Sequence, residues 1–192
     1  MITLEDGTPV FGMATELDGG LIWLDKAFFI AGSDSSDVNL LRPFGMEVHR
    51  PQQLLVIPWS SVLYQEPLLA ESPAVEAITT YLASASASST VEPDLARGSL
   101  SAVFLTSGEV FFGGLTASGD QFQLDNAHFL RFKDESDDDE RTIDSLDDIE
   151  LIPEAQASAG STGAMLIPAE SVLYIQMLAS DSPVAGALAP KP

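Results

Sequence analysis

The chain has 192 residues, 45% of them hydrophobic, with 29 acidic and 8 basic side chains, a net charge of −21 and no cysteine. The lack of cysteine excludes a disulfide framework, a thiol nucleophile and a thiolate metal site, and a field of this sign repels nucleic acid and anionic lipid. Apolar runs are short and interrupted, well below the roughly 20 residues that cross a bilayer, and Met1-Ile2-Thr3-Leu4 lacks the basic and apolar regions of a secretory signal, so a soluble, cytoplasmic protein without membrane contact is expected.

In chain order, Ile2 to Glu5 reads as a strand, Asp6-Gly7 as a turn in which glycine supplies positive φ, and Pro9 to Glu16 as the returning strand. Asp18-Gly19-Gly20 makes the next turn, and Leu21 to Ile30 is a third strand rich in β-branched and aromatic residues. Ala31 to Pro51 is a polar excursion of little regular period. Leu54 to Ile57 follows as a strand, Pro58-Trp59-Ser60 as a tight corner, and Val62 to Gln65 as a fifth strand. Ser72-Pro73 then opens an apolar-periodic run to Leu82, with Ser72 as N-cap and Pro73 at the first helical position.

The same pattern returns. Leu4-Glu5-Asp6-Gly7-Thr8-Pro9-Val10-Phe11-Gly12 is matched by Leu105-Thr106-Ser107-Gly108-Glu109-Val110-Phe111-Phe112-Gly113, and Ile57 to Tyr64 by Ile167 to Tyr174. Asp181-Ser182-Pro183 before Val184 to Leu188 repeats the helix start. The duplication divides the chain into a first unit at 1–82, a flexible Ala/Ser-rich linker at 83–100 and a second unit at 101–190. The largest difference between the units is an acidic loop at 134–150, where a like-charged run predicts a solvated segment. Units this small bury modest cores, which favours packing on each other or association of chains.

Chemistry-bearing patterns are scarce. An EF-hand loop starting at Asp134 would need Gly where Asp139 stands and Glu where Ser145 stands, so no metal site is assigned. His49 and His128 occupy non-equivalent places in the two units, and no G-x-S-x-G elbow or comparable arrangement appears, so no catalytic residue and no cofactor are expected. Gly12, Gly113 and Gly114 lie inside strands, where glycine marks a bulge or bend and not a phosphate loop. Phe28, Phe29, Phe129, Phe132, Trp23 and Trp59 have few cations nearby and read as core or interface residues in preference to base-stacking platforms.

Apolar-x-Leu-x-Asp-Gly, then Phe-Gly, then Asp-Gly before Leu21-Ile22-Trp23-Leu24-Asp25, and finally Ile-x-x-x-Ser-Val-Leu-Tyr, together resemble the Sm and Sm-like family. The resemblance implies a strongly bent five-stranded barrel whose subunits join edge to edge into rings that often bind uridine-rich RNA. The family's RNA-pocket positions carry Trp23 or Gln123, and Pro58-Trp59 or Pro168-Ala169, so its RNA-binding residues are not carried over. A Tudor-like or other SH3-like barrel explains the pattern nearly as well, and Gly45 to Pro51 is similar to small uncharacterised bacterial proteins that bring no function.

The expected fold is therefore mainly β: two tandem five-stranded Sm-like or SH3-like barrels, each followed by a short helix. The expected function is a non-enzymatic scaffold, a homo-oligomer or a protein with a protein partner. Its interface strands would be Val62, Leu63 and Tyr64 in one unit and Val172, Leu173, Tyr174 and Ile175 in the other. Three such chains would make a pseudo-hexameric ring. The alternative is a divergent Sm-like RNA-binding protein, disfavoured by net charge, with contacts near Lys26, Arg42, Arg50, His128, Arg131 and Lys133.

Overall fold

The computed structural model describes residues 1–30, 41–43, 51–84, 95, 98–132, 149–153 and 164–188. The first half contains β1 (Ile2–Leu4), β2 (Pro9–Leu17), β3 (Leu21–Ile30), β4 (Leu41–Pro43), β5 (Pro51–Pro58), β6 (Val62–Gln65) and helix α1 (Pro73–Ser84). The second contains β7 (Ser99–Leu105), β8 (Val110–Ser118), β9 (Gln121–Phe132), β10 (Ile149–Pro153), β11 (Ala164–Pro168), β12 (Val172–Leu178) and helix α2 (Pro183–Leu188). Single-turn 3-10 helices, Trp59–Ser61 and Ala169–Ser171, form the corners before β6 and β12.

Local chemistry explains these elements. Gly7 and Gly108 take positive φ in the first turn of each half, a conformation that costs glycine little. The corners are tied down alike: Trp59 N–H donates to the Gly20 carbonyl and Ala169 N–H to that of Asp120, both at 2.9 Å. Each helix begins at proline with a serine before it, and the Ser72 and Ser182 hydroxyls accept from the N–H groups of Val75 (3.3 Å) and Ala185 (3.0 Å), as a helix start requires.

Among the described residues all ladders are antiparallel and belong to one sheet of twelve strands, ordered β10-β9-β8-β7-β12-β5-β3-β2-β1-β6, with β11 also on β9 and β4 on β3. The pairings of the two halves correspond. Ile2↔Gln65, Thr3↔Tyr64 and Leu4↔Val62 are matched by Val103↔Ile175, Phe104↔Tyr174 and Leu105↔Val172. In each half the ladder between the second and third strands shifts register at glycine, between Phe11 and Met13 and between Phe112 and Gly114. Opposite these bulges Lys26 and Asn126 adopt φ of 51° and 52°.

Two closed five-stranded barrels do not form, because the sheet stays open. The reason lies in β5. It pairs with β3 on one side and, on the other, with β12 of the second half through Ile175↔Val56 and Gln176↔Leu55, not with β6 of its own half. Each half also holds a sixth strand. β4 falls in the stretch expected to be an irregular excursion, and β10 begins at the end of the expected acidic loop. β7 starts at Ser99 and Leu95 is buried in the core, both inside the stretch expected to be linker. The rest of that linker, apart from Ala83, Ser84, Gly98 and Leu100, and the acidic loop up to residue 148 lie outside the described residues.

The core follows the shared sheet. The largest cluster joins Leu21, Leu54 and Val56 of the first half to Val103, Leu115, Phe122, Leu124, Val172 and Ile175 of the second. A second cluster holds Ile2, Leu4, Ile22, Leu24, Leu55 and Ile57 of the first half and receives Leu173 from β12. Burial of apolar area shared this way stabilises both halves at once.

Candidate functional site

Strand edges are the feature with a chemical consequence, since an edge exposes a row of unpaired N–H and C=O groups that another chain can pair with. The interior edge is filled. Both sides of β12 are laddered, to β7 and to β5. Across the same seam the Ser61 hydroxyl, fully buried, donates to the Val172 carbonyl, and the Ser60 hydroxyl lies 3.4 Å from the Ala169 carbonyl. Val172, Leu173, Tyr174 and Ile175, expected at an interface, thus sit at one formed between the two halves of the chain itself.

Among the described residues β4, β6, β10 and β11 each pair with one strand only; of these, β6 and β11 carry exposed large apolar residues and lie far apart in the sheet order. β6 pairs with β1 alone, and β11 pairs with β9 alone; among the described residues neither has a strand on its outer side. Their side chains are unusual for such positions. Leu63 is 60% exposed and Tyr64 47% on β6, with Trp59 at 41% on the adjoining corner, and Leu166 is 65% exposed on β11. Leu173, which occupies the place of Leu63 in the second half, is only 8% exposed because the first-half core covers it. Val56, which occupies the place of Leu166, is fully buried.

The cations expected at an RNA contact are not gathered into one patch. Lys26 lies on β3, its N–H bonded to Asp25 Oδ1 at 2.8 Å, and Arg42 on the adjacent β4. His128 and Arg131 lie on β9, with His128 Nδ1 2.7 Å from the Asn126 carbonyl. Between β3 and β9 the sheet order interposes β5, β12, β7 and β8. Arg50 and Lys133 lie outside the described residues. Among the described residues no cluster of His, Asp or Glu could hold a metal ion, and no helix is long and apolar enough to cross a membrane.

One further feature escaped the sequence reading. A groove of about 470 Å³ runs between β2, the end of β6 and α1, lined by Gly12, Met13, Ala14, Glu66, Leu68 and Ile78 among others. The Met1 ammonium borders it and donates to the Glu66 carbonyl at 2.9 Å. Burial holds this amine below its ordinary pKa of 8.0, while the Glu66 carboxylate acts in the opposite direction. The folded chain therefore binds this proton less tightly than the unfolded one, so stability is reduced while the amine is charged and rises with pH through the interval just below 8. A higher urea midpoint at pH 8.5 than at pH 6.5, with the difference lost on Nα-acetylation, is the expected result.

Comparison of the chain with protein-family models, with curated proteins and with solved structures returned no match.

Proposed function

We propose that this protein is a non-enzymatic assembly scaffold, built from two Sm-like or SH3-like open barrels, that associates head to tail by pairing β6 of one chain with β11 of the next. The observation that carries this reading is the contrast between Leu173, seated in the core of the other half, and Leu63, its exposed counterpart. The seam inside the chain already joins a strand of the β5 kind to a strand of the β12 kind, and β11 and β6, two of the open edges, are one of each kind. A contact of this sort is heterologous, so repetition yields a ring or a filament and not an isolated dimer. By correspondence with Ile175↔Val56 and Gln176↔Leu55, the register is Gln65↔Leu166 and Glu66↔Met165. The exposed Leu63, Tyr64 and Leu166 supply apolar area to the contact.

Light scattering after size exclusion tests the reading, with an expected mass at a discrete multiple of 20.4 kDa. Leu63→Asp and Leu166→Asp should each give monomers, weakening association more than about tenfold, while leaving the fold stable to within about 0.5 kcal/mol because both side chains face solvent in the single chain. Mixed in equal amounts, the two variants should form a dimer and nothing larger, since one intact edge of each kind remains. A wild-type chain that stays monomeric at all micromolar concentrations refutes the proposal.

A further inference from the structure

The groove beside α1 coincides with a position that the second half fills with its own backbone. There β7 extends to Ser99, and Ser101↔Gly113, Leu100↔Gly114 and Ser99↔Leu115 continue its ladder with β8. On its other side the same strand continues along β12 through Met177↔Ser101. Leu100 packs against the cluster formed by Ala102, Phe112, Leu178 and Val184.

In the first half the corresponding edge of β2 is Gly12, Met13 and Ala14, and the ladder with β1 ends at Ile2↔Val10. These three residues line the groove, together with Leu68, which stands where Leu178 stands in the second half, and Val75 and Ile78 of α1. Met13 is 54% exposed. The groove is therefore a slot with one laddering edge, an apolar roof and the volume of a small ligand site.

We infer that this slot receives the extended carboxyl-terminal segment of a partner polypeptide, running antiparallel to β2 with a leucine flanked by small residues. Ser99-Leu100-Ser101 is the pattern for the occupant: backbone bonds to the β2 edge provide affinity, and the leucine, inserted towards Leu68 and Ile78, provides selection. Met13 borders this place with a side chain flexible enough to repack around the incoming leucine. The direction follows from the same ladder, in which the segment approaches Met1 by its carboxyl end. A chain that continued past this point would collide with Met1, whereas a terminal carboxylate meets the Met1 ammonium, and Lys26 also lines the slot. This binding uses the edge of β2 and the β1-facing side of β6, so it does not compete with head-to-tail pairing on the outer side of β6.

The test is a titration of the ¹⁵N-labelled full chain, in the Leu63→Asp background, with acetyl-Gly-Ser-Leu-Ser bearing a free carboxylate. Saturable shifts are expected at Gly12, Met13, Ala14 and Glu66, with a dissociation constant near or below about 1 mM, as suits so short a segment. The Leu→Asp peptide should bind at least tenfold more weakly and the carboxamide at least threefold. Ala14→Trp, an exposed position on the slot wall, should abolish the shifts while leaving the circular dichroism spectrum unchanged. No saturation by about 5 mM, or equal binding of the Asp peptide, overturns the slot; equal binding of the carboxamide overturns the chain-end assignment. Because Gly12, Met13 and Ala14 lie on β2, away from the outer side of β6, failure at these three reporters leaves head-to-tail association untouched, and a monomeric wild-type chain leaves this result untouched.

Discussion

Val56→Asp is expected to unfold both halves of the chain together. Val56 is fully buried, pairs with Trp23 on one side and Ile175 on the other, and belongs to the cluster that joins the halves. A carboxylate there has no cation to pair with among its cluster neighbours, and an unpaired buried charge costs more than about 4 kcal/mol. The total stability of an ordinary domain is about 5–15 kcal/mol. Leu166→Asp, at the corresponding place on β11, puts the same charge on a residue that is 65% exposed and should shift the unfolding midpoint of the monomer hardly at all. Urea titration followed by circular dichroism and by tryptophan fluorescence checks both. The two probes should report one coincident transition for the wild type and for Val56→Asp, and separate transitions would mean that the halves hold together less firmly than their shared core implies.

The second large effect is expected at the bulge glycines. A β-carbon built on Gly113 would lie 2.6 Å from the Asp125 carbonyl oxygen and 2.9 Å from Leu124 Cγ; at Gly12 the corresponding distances are 2.7 Å to Asp25 and 2.8 Å to Leu24. The oxygen is backbone and the leucines are fully buried or nearly so, so neither neighbour can yield without moving the third strand. Gly113→Ala and Gly12→Ala should each cost about 2–4 kcal/mol. Gly114→Ala is the control one residue away, where the nearest atom to a new β-carbon is 3.6 Å distant and a loss below about 1 kcal/mol is expected. Thermal unfolding distinguishes these outcomes, since 1 kcal/mol shifts the midpoint of a chain of this size by about 2–4 °C.

Much of the local structure was legible because it depends on neighbours in sequence. Asp6-Gly7 and Asp18-Gly19-Gly20 announce turns, Ser72-Pro73 and Ser182-Pro183 announce helices, and the strands β1 to β3, β8 and β9 fall where their patterns place them, while β7 begins two residues earlier than the repeat suggests. β4 and β10 were not legible: Leu41–Pro43 and Ile149–Pro153 carry weak patterns and are strands because β3 and β9 offer them an edge. The open sheet was also hidden, since the choice of β5 between β6 and β12 is a competition between distant segments that no local window contains. At the candidate site, Val62 to Tyr64 was marked by an apolar terminal strand, but nothing in Val172 to Ile175 says that its edge is consumed within the chain. The slot could have been found from the repeat alone, because aligning Gly113 on Gly12 leaves Ser99, Leu100 and Ser101 without counterparts in the first half.

The seam between β5 and β12 also bears on how the chain is made. The buried bond from Ser61 to Val172 spans 111 positions, so β12 leaves the ribosome long after β5. Until it arrives, Leu54-Leu55-Val56-Ile57 presents an apolar edge of high strand propensity, the kind of segment that pairs with copies of itself when left uncovered. Synthesis proceeds at about 5–20 residues per second, so this interval lasts several seconds on each nascent chain. A pause or truncation before Val172 would therefore release polypeptides that aggregate through β5, and a chaperone that shields short hydrophobic strands would act on this protein during that interval.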